Sequence, residues 1–190
     1  MTAGQVSVPL PASLDEIAQD FAALSARDRL ILLLDFSDGL PELPERYAGH
    51  VELLERVDEC QSPLFLVVEV ESVLVGEVEV AQDVAASQEA GASQEAGASQ
   101  EAGTLQEAGT LQKAIVHLFF QAPPEAPTTR GFAGILREGL DGLTVGEVLA
   151  VPDDAPYRFG LAEAVSPLRL RGMVAILSRI KRQVRLRSAA

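Results

Sequence analysis

Apolar positions recur at helical spacing in several stretches of the chain and crowd into short unbroken runs in others, and that contrast sets out the expected elements. Residues 13–24 put Leu14, Ile17, Phe21 and Leu24 on one face, behind Ser13 and Glu16 at the spacing of a capping box. "SARDRLILLLDFSDG" repeats the grammar, with Ser25 as N-cap, Asp28 three residues later and Gly39 as the stop. Its Leu30, Ile31, Leu33 and Leu34 predict a largely buried helix. The prolines of "LPELPERYAG" then predict an extended loop. Residues 64–70, "LFLVVEV", read as a strand. Residues 73–80, "VLVGEVEV", alternate after Gly76 and read as a half-exposed strand, and 115–120, "IVHLFF", as a third. Connections without helices between them favour antiparallel pairing.

The rest is helical. "APTTRGFAGILREGLDG" reads as a threonine-capped helix with Phe132, Ile135, Leu136 and Leu140 facing a core and Gly142 at its end. Thr144 and Glu147 have capping-box spacing, and Pro152 closes that segment. Ser166 and Pro167 open a last helix whose Leu170, Met173, Val174, Leu177, Ile180 and Val184 form one stripe. Helices, a short sheet, then helices predict an α+β two-layer domain over 13–187, after an N-terminal tail at 1–12.

One segment fits neither period. From Ala86 to Gly109 a six-residue unit repeats as "ASQEAG" and then "TLQEAG". Glycine every six residues wanders around a helix and weakens it by about 1 kcal/mol each time. Only Leu105 and Leu111 offer the inward apolar side chains that a hexapeptide β-helix needs. Residues 83–112 are therefore expected to be a low-complexity insertion in a hairpin connection.

Composition narrows the function. With 47% hydrophobic residues in 190, the chain can build a core. Its net charge is −13, yet from Leu168 onward seven basic residues occur without an acid. A nucleic-acid role would need a phosphate-facing surface, and the acidic remainder argues against one. The basic stretch reads as a solvated helix face with cations near its C-terminal end. The N-terminus lacks the basic and apolar regions of a signal peptide, and no apolar run approaches the roughly 20 residues of a membrane span. A soluble, cytoplasmic protein without membrane partners is expected.

Candidate chemistry reduces to one residue. A lone cysteine with two histidines, His50 and His117, lacks paired metal-ligand spacing, so no metal and no cofactor is expected. Neither GxGxxG nor GxxxxGK[ST] occurs. Cys60 lies among Asp58, Glu59, Gln61 and Ser62, ahead of Pro63 and the strand, where a thiol can be offered to a partner. Asp58 and Glu59 favour the neutral thiol, so slow alkylation of the isolated protein is expected. Three other readings compete. A cysteine hydrolase would need a histidine about 3–4 Å from Cys60. A cluster scaffold would need several ligands. A non-catalytic interaction module would not need the thiol at all.

"RDRLILLLDFSDGLPELPE" and "VDECQSPLFLVVEVE" resemble the SufE family, and "TTRGFAGILREGLDGLTVGEVLAV" and "SPLRLRGMVAILSRIKRQV" follow in the family's order. The resemblance runs from Ser13 to Val184 outside the repeat. It implies the two-layer fold shared with NifU-type iron–sulfur scaffolds, and an accessory sulfur carrier rather than an enzyme. The implied partners are a SufS-like, PLP-dependent cysteine desulfurase and a downstream iron–sulfur assembly scaffold. On this resemblance Cys60 is the persulfide-bearing acceptor, with Gln61 and Ser62 in its loop. Arg169, at the start of the last helix, matches an arginine that contacts the partner or steadies the loop, and Arg130 and Gly131 match a basic–glycine pair. Glu59 replaces the family's usual glycine, which puts a carboxylate beside the thiol.

Overall fold

The computed structural model describes residues 8–75 and 111–189. The chain divides into a body, Met1–Ser72 with Ala114–Ala190, and a second unit, Val73–Lys113. The repeat from Ala86 to Gly109 and residues 76–80 of the strand expected over 73–80 lie outside the described residues, and Val73, Leu74 and Val75 continue β2 instead of opening a separate strand. The body contains α1 (Ala12–Ala23), α2 (Ala26–Asp38), β1 (Glu55–Arg56), β2 (Phe65–Val75), β3 (Leu111–Gln121), α3 (Pro127–Leu140), α4 (Val145–Ala150) and α5 (Pro167–Ser188), the outer ends of β2 and β3 belonging to the second unit. Leu111 and Gln112, the end of the expected insertion, are already strand.

The sheet is three-stranded and antiparallel, in the order β1-β2-β3, as the α+β reading requires. Alternate residues Leu64, Leu66 and Val68, with Val116, Leu118 and Phe120, are buried in one core with α1, α3 and α5. The opposite face is partly covered by the proline-rich loop. There Arg46 lies over the Phe119 ring at 5.1 Å and pairs with Glu69. Tyr47 stacks obliquely on Phe119.

Side chains and loop backbone satisfy part of each edge of this small sheet near the body's core. β1 is only two residues long, pairing Glu55 with Leu66 and Arg56 with Phe65. Beyond it, Gln183 of α5 accepts from the Val68 N–H at 2.9 Å and takes the place of a strand. At β3, Asp141 accepts from the Leu118 N–H at 2.6 Å, and Ile115 bridges to Thr144.

Several local expectations hold. Ser25 and Ser166 cap α2 and α5, and Thr144 and Glu147 form a full capping box on α4. Others do not, for identifiable reasons. α1 starts behind Pro11, and Ser13, already helical, donates instead to Gly139 O at 2.8 Å, an orphan carbonyl in the last turn of α3. α3 starts behind Ala126 with Pro127 at its first position, so Thr128 and Thr129 lie inside the first turn rather than capping it. α2 is not largely buried: Leu33 is, but Ile31 is 52% exposed and Leu30 and Leu34 are exposed with it. In the last stripe Val174 is half-buried and Ile176 is buried instead.

Close helix approach explains the glycines of α3. A Cβ on Gly131 would meet Leu33 O, and one on Gly134 would meet Phe36 O, both backbone atoms of α2. The basic stretch is less solvated than its sequence implies. Arg179 and Arg182 pair with Glu55, and Lys181 pairs with Asp153. Among the described residues no helix is long and apolar enough to cross a membrane.

Candidate functional site

Cys60 sits in the turn that links β1 to β2. Val57 N–H closes the base of that turn on Leu64 O at 2.9 Å, and Cys60 N–H bonds Val57 O at 3.3 Å. The turn packs on α5, where the thiol points at Gly172 O, 4.0 Å away. The sulfur rests against Gly172 at van der Waals range: a Cβ there would stand 3.5 Å from Sγ.

The half-buried sulfur borders a cavity of about 500 Å³. Its walls include Gln61 and Ser62 from the same turn, Thr128 and Thr129 from the first turn of α3, and Leu168 and Arg169 from the first turn of α5. First-turn N–H groups have no partner within their helix and carry the positive end of the helix dipole. Arg169 is exposed and has no ion-pair partner among the described residues. Two carboxylates, Glu59 and Glu125, line it as well, so the cavity sets one nucleophile among opposing charges: Arg169 and the helix starts on one side, the two acids on the other.

The resting thiol is nonetheless poorly ionised. Burial, and then the Glu59 carboxylate, push its pKa up to about 11. At pH 8 about one thiol in a thousand is then thiolate. Alkylation of the isolated protein by iodoacetamide should therefore be slow at pH 8 and still be accelerating at pH 10. A rate that levels off near pH 8 would contradict this environment.

Glu59 is itself held. Arg179 donates to it at 2.8 Å and to Glu55 of β1 at 2.6 Å. Glu55 also accepts from Arg182 and from Gln183. The Arg179 hydrogen bond holds the Glu59 carboxyl below its ordinary value. For Glu55, burial works upward, but the bonds from Arg179, Arg182 and Gln183 outweigh it and its pKa is lowered. Arg179 has no chemical motif of its own in the sequence. The signal was its spacing: Arg169, Gly172, Ile176, Arg179 and Gln183 recur at three and four residues, one face of α5.

Arg130 and Gly131 stand apart from this cavity. The Arg130 guanidinium donates to Ser37 O and Leu40 O at the end of α2 and to Ala122 O after β3. It ties strand to helix, and Gly131 lets α2 approach. Neither histidine lines the Cys60 cavity. His50 pairs with Glu52, and His117 with Glu71. A hydrolase would find no imidazole base here. Among the described residues no cluster of His, Cys, Asp or Glu could hold a metal ion.

The family described as "SufE: Fe-S metabolism associated domain" matches residues 15–91 and 106–184. The chain belongs to the SufE family. Its relatives include the uncharacterized SufE-like proteins of two strains of Mycobacterium tuberculosis, each 42% identical over 176 residues, spanning 93% of this chain and 94% of the relative. A hypothetical protein from Thermus thermophilus, solved in solution, is 32% identical with a TM-score of 0.64, and the match covers 96% of this chain and 100% of that one. As a SufE protein, the chain is associated with iron–sulfur metabolism.

Proposed function

We propose that this SufE protein accepts sulfane sulfur on Cys60 from a PLP-dependent cysteine desulfurase and relays it to iron–sulfur cluster assembly. The observation that carries the reading is the chain's one cysteine on a turn at the edge of a cavity that also receives Arg169 and the first turns of α3 and α5. The Cys60 thiolate attacks the outer sulfur of the partner's persulfide. A new S–S bond forms at Cys60, the partner's S–S bond breaks, and the partner's sulfur leaves as thiolate. Sulfur oxidation states are exchanged between the two proteins, so no outside oxidant or reductant enters. The thiol proton passes to the departing sulfur or to water.

The product on Cys60 is a persulfide, an anion at neutral pH. Thr128 and Thr129 at the start of α3 and Arg169 line the space in which it forms and can offset its charge, against Glu59 and Glu125 in the same lining. A single cysteine suits a carrier, because a neighbouring thiol would resolve the persulfide into a disulfide. Gln61 and Ser62, which share the turn, and Arg169 are the residues that a docked partner meets first.

The test is desulfurase turnover. Alanine release from cysteine by a SufS-like desulfurase should rise with added protein and saturate. No change in turnover with any SufS-like enzyme would remove the proposed partnership.

A further inference from the structure

Resting on that reading, we propose that Glu59 and Arg179 form a latch that holds the Cys60 turn closed on α5, so that the thiol reacts only when this ion pair is released. Glu59 is then a positioning residue, acting on the sulfur through the turn.

The geometry is specific. Glu59 is the residue before Cys60, and its carboxylate is bonded to Arg179 at 2.8 Å. Arg179 lies seven residues after Gly172 on the same face of α5, and Gly172 is the residue against which Sγ rests. One helix face therefore holds the turn at two points: a charge pair at Glu59 and a backbone contact at Cys60. Arg179 is anchored independently by Glu55, whose side chain is 19% exposed, whereas that of Glu59 is 46% exposed. The Glu55 end is fixed, and the Glu59 end is the one that exchanges with water, salt or a partner. Releasing it frees the turn without unfastening β1 from α5, because Glu55 keeps Arg182 and Gln183.

The charged groups around the thiol are few. On its own hairpin they are Glu55, Glu59 and the paired Arg56 and Asp58. α5 presents Arg169, Arg179 and Arg182, and the segment before α3 presents Glu125. Glu59 acts on Cys60 in two separable ways. Its charge opposes ionisation, and its bond to Arg179 restricts access. Charge moves the apparent pKa of the reaction, while access moves the limiting rate once all thiol is ionised.

The experiment is alkylation by iodoacetamide, a neutral reagent, followed across pH for the wild type, E59Q, R179Q and the double variant, with circular dichroism to confirm folding. E59Q should lower the apparent pKa and raise the limiting rate about fivefold, the upper range for a partly exposed pair. R179Q should raise the limiting rate as well, without the fall in apparent pKa. The double variant should exceed neither single variant, because one bond is lost in all three. Salt at about 1 M should raise the limiting rate of the wild type and leave that of E59Q unchanged.

A limiting rate that is the same in E59Q and wild type, with no salt response, overturns the latch and leaves Glu59 only its charge. If R179Q fails to fold, E59Q and the salt response decide the matter alone. No desulfurase is present, so failure of the latch leaves sulfur acceptance standing. Failure of sulfur acceptance likewise leaves the measured latch intact.

Discussion

Cys60→Ser is expected to abolish stimulation of the desulfurase while leaving the fold intact. A serine oxygen is not ionised at neutral pH and forms no stable bond to sulfane sulfur, so the acceptor is lost outright. The structural cost is small. The sulfur's hydrogen-bond partner among the described residues is Gly172 O at 4.0 Å, and it is only half-buried. A stability change of about 1 kcal/mol or less follows. The surrounding turn, Arg169 and both helix starts are untouched, so the variant should still dock and should compete with wild type. Wild-type stimulation by Cys60→Ser would favour the non-catalytic module, for which the thiol is irrelevant.

Gly134→Val should produce the largest loss of stability. A Cβ at this position would fall on Phe36 O, with Phe36 C at 3.0 Å and Phe36 Cβ at 3.2 Å. Backbone atoms of a packed helix cannot swing aside, so α2 and α3 must separate. Overpacking of this kind costs about 3 kcal/mol at its upper end, and a domain of this size then melts about 6–12 °C lower. Gly146→Ala makes the control. Its Cβ meets nothing within 4 Å, it lies in α4 and its φ is not positive. That change should be neutral or stabilising by up to about 1 kcal/mol, from helix propensity alone. Thermal melts of the two variants read the difference directly, and equal melting temperatures would contradict the close contact.

The same contrast between local and distant partners separates what the sequence reveals from what it hides. The caps of α2, α4 and α5 are local: a side chain meets an N–H three residues on, and spacing alone identifies them. Ser13 offers the same spacing, but its hydroxyl has a partner 126 residues away in Gly139. Apolar periodicity marks the stripe of α5 because a full face is buried. It overstates α2, since Leu30, Ile31 and Leu34 are apolar but only partly covered among the described residues. β1 has two residues and therefore no period to detect.

The site divides in the same way. Cys60 and its turn are legible because chemistry marks them: one cysteine among polar residues before a strand. Arg169 is legible through family resemblance, and it does border the cavity. Arg130 and Gly131 are equally prominent in sequence, but the fold directs them to α2 and the end of β3. Arg179 is the reverse case. Its importance depends on α5 lying beside the Cys60 turn, and that contact appears only once the chain is folded.

The thiol environment adds a condition to the account. With its pKa pushed up to about 11, Cys60 at rest is guarded against oxidants, whose attack follows thiolate content and exposure. On the proposed function, docking would lower the barrier to ionisation, by adding donors or by drawing the turn out of its contact with Gly172. Both routes begin at the turn that Glu59 fastens to α5.

Sulfur acceptance itself is read most directly by intact-protein mass spectrometry after incubation with a SufS-like cysteine desulfurase, PLP and cysteine, without reductant. The account predicts a gain of one sulfur atom, located by peptide mapping on Cys60, removed by dithiothreitol and absent from Cys60→Ser. An unchanged mass in the wild type, under conditions where the desulfurase carries its own persulfide, would contradict it.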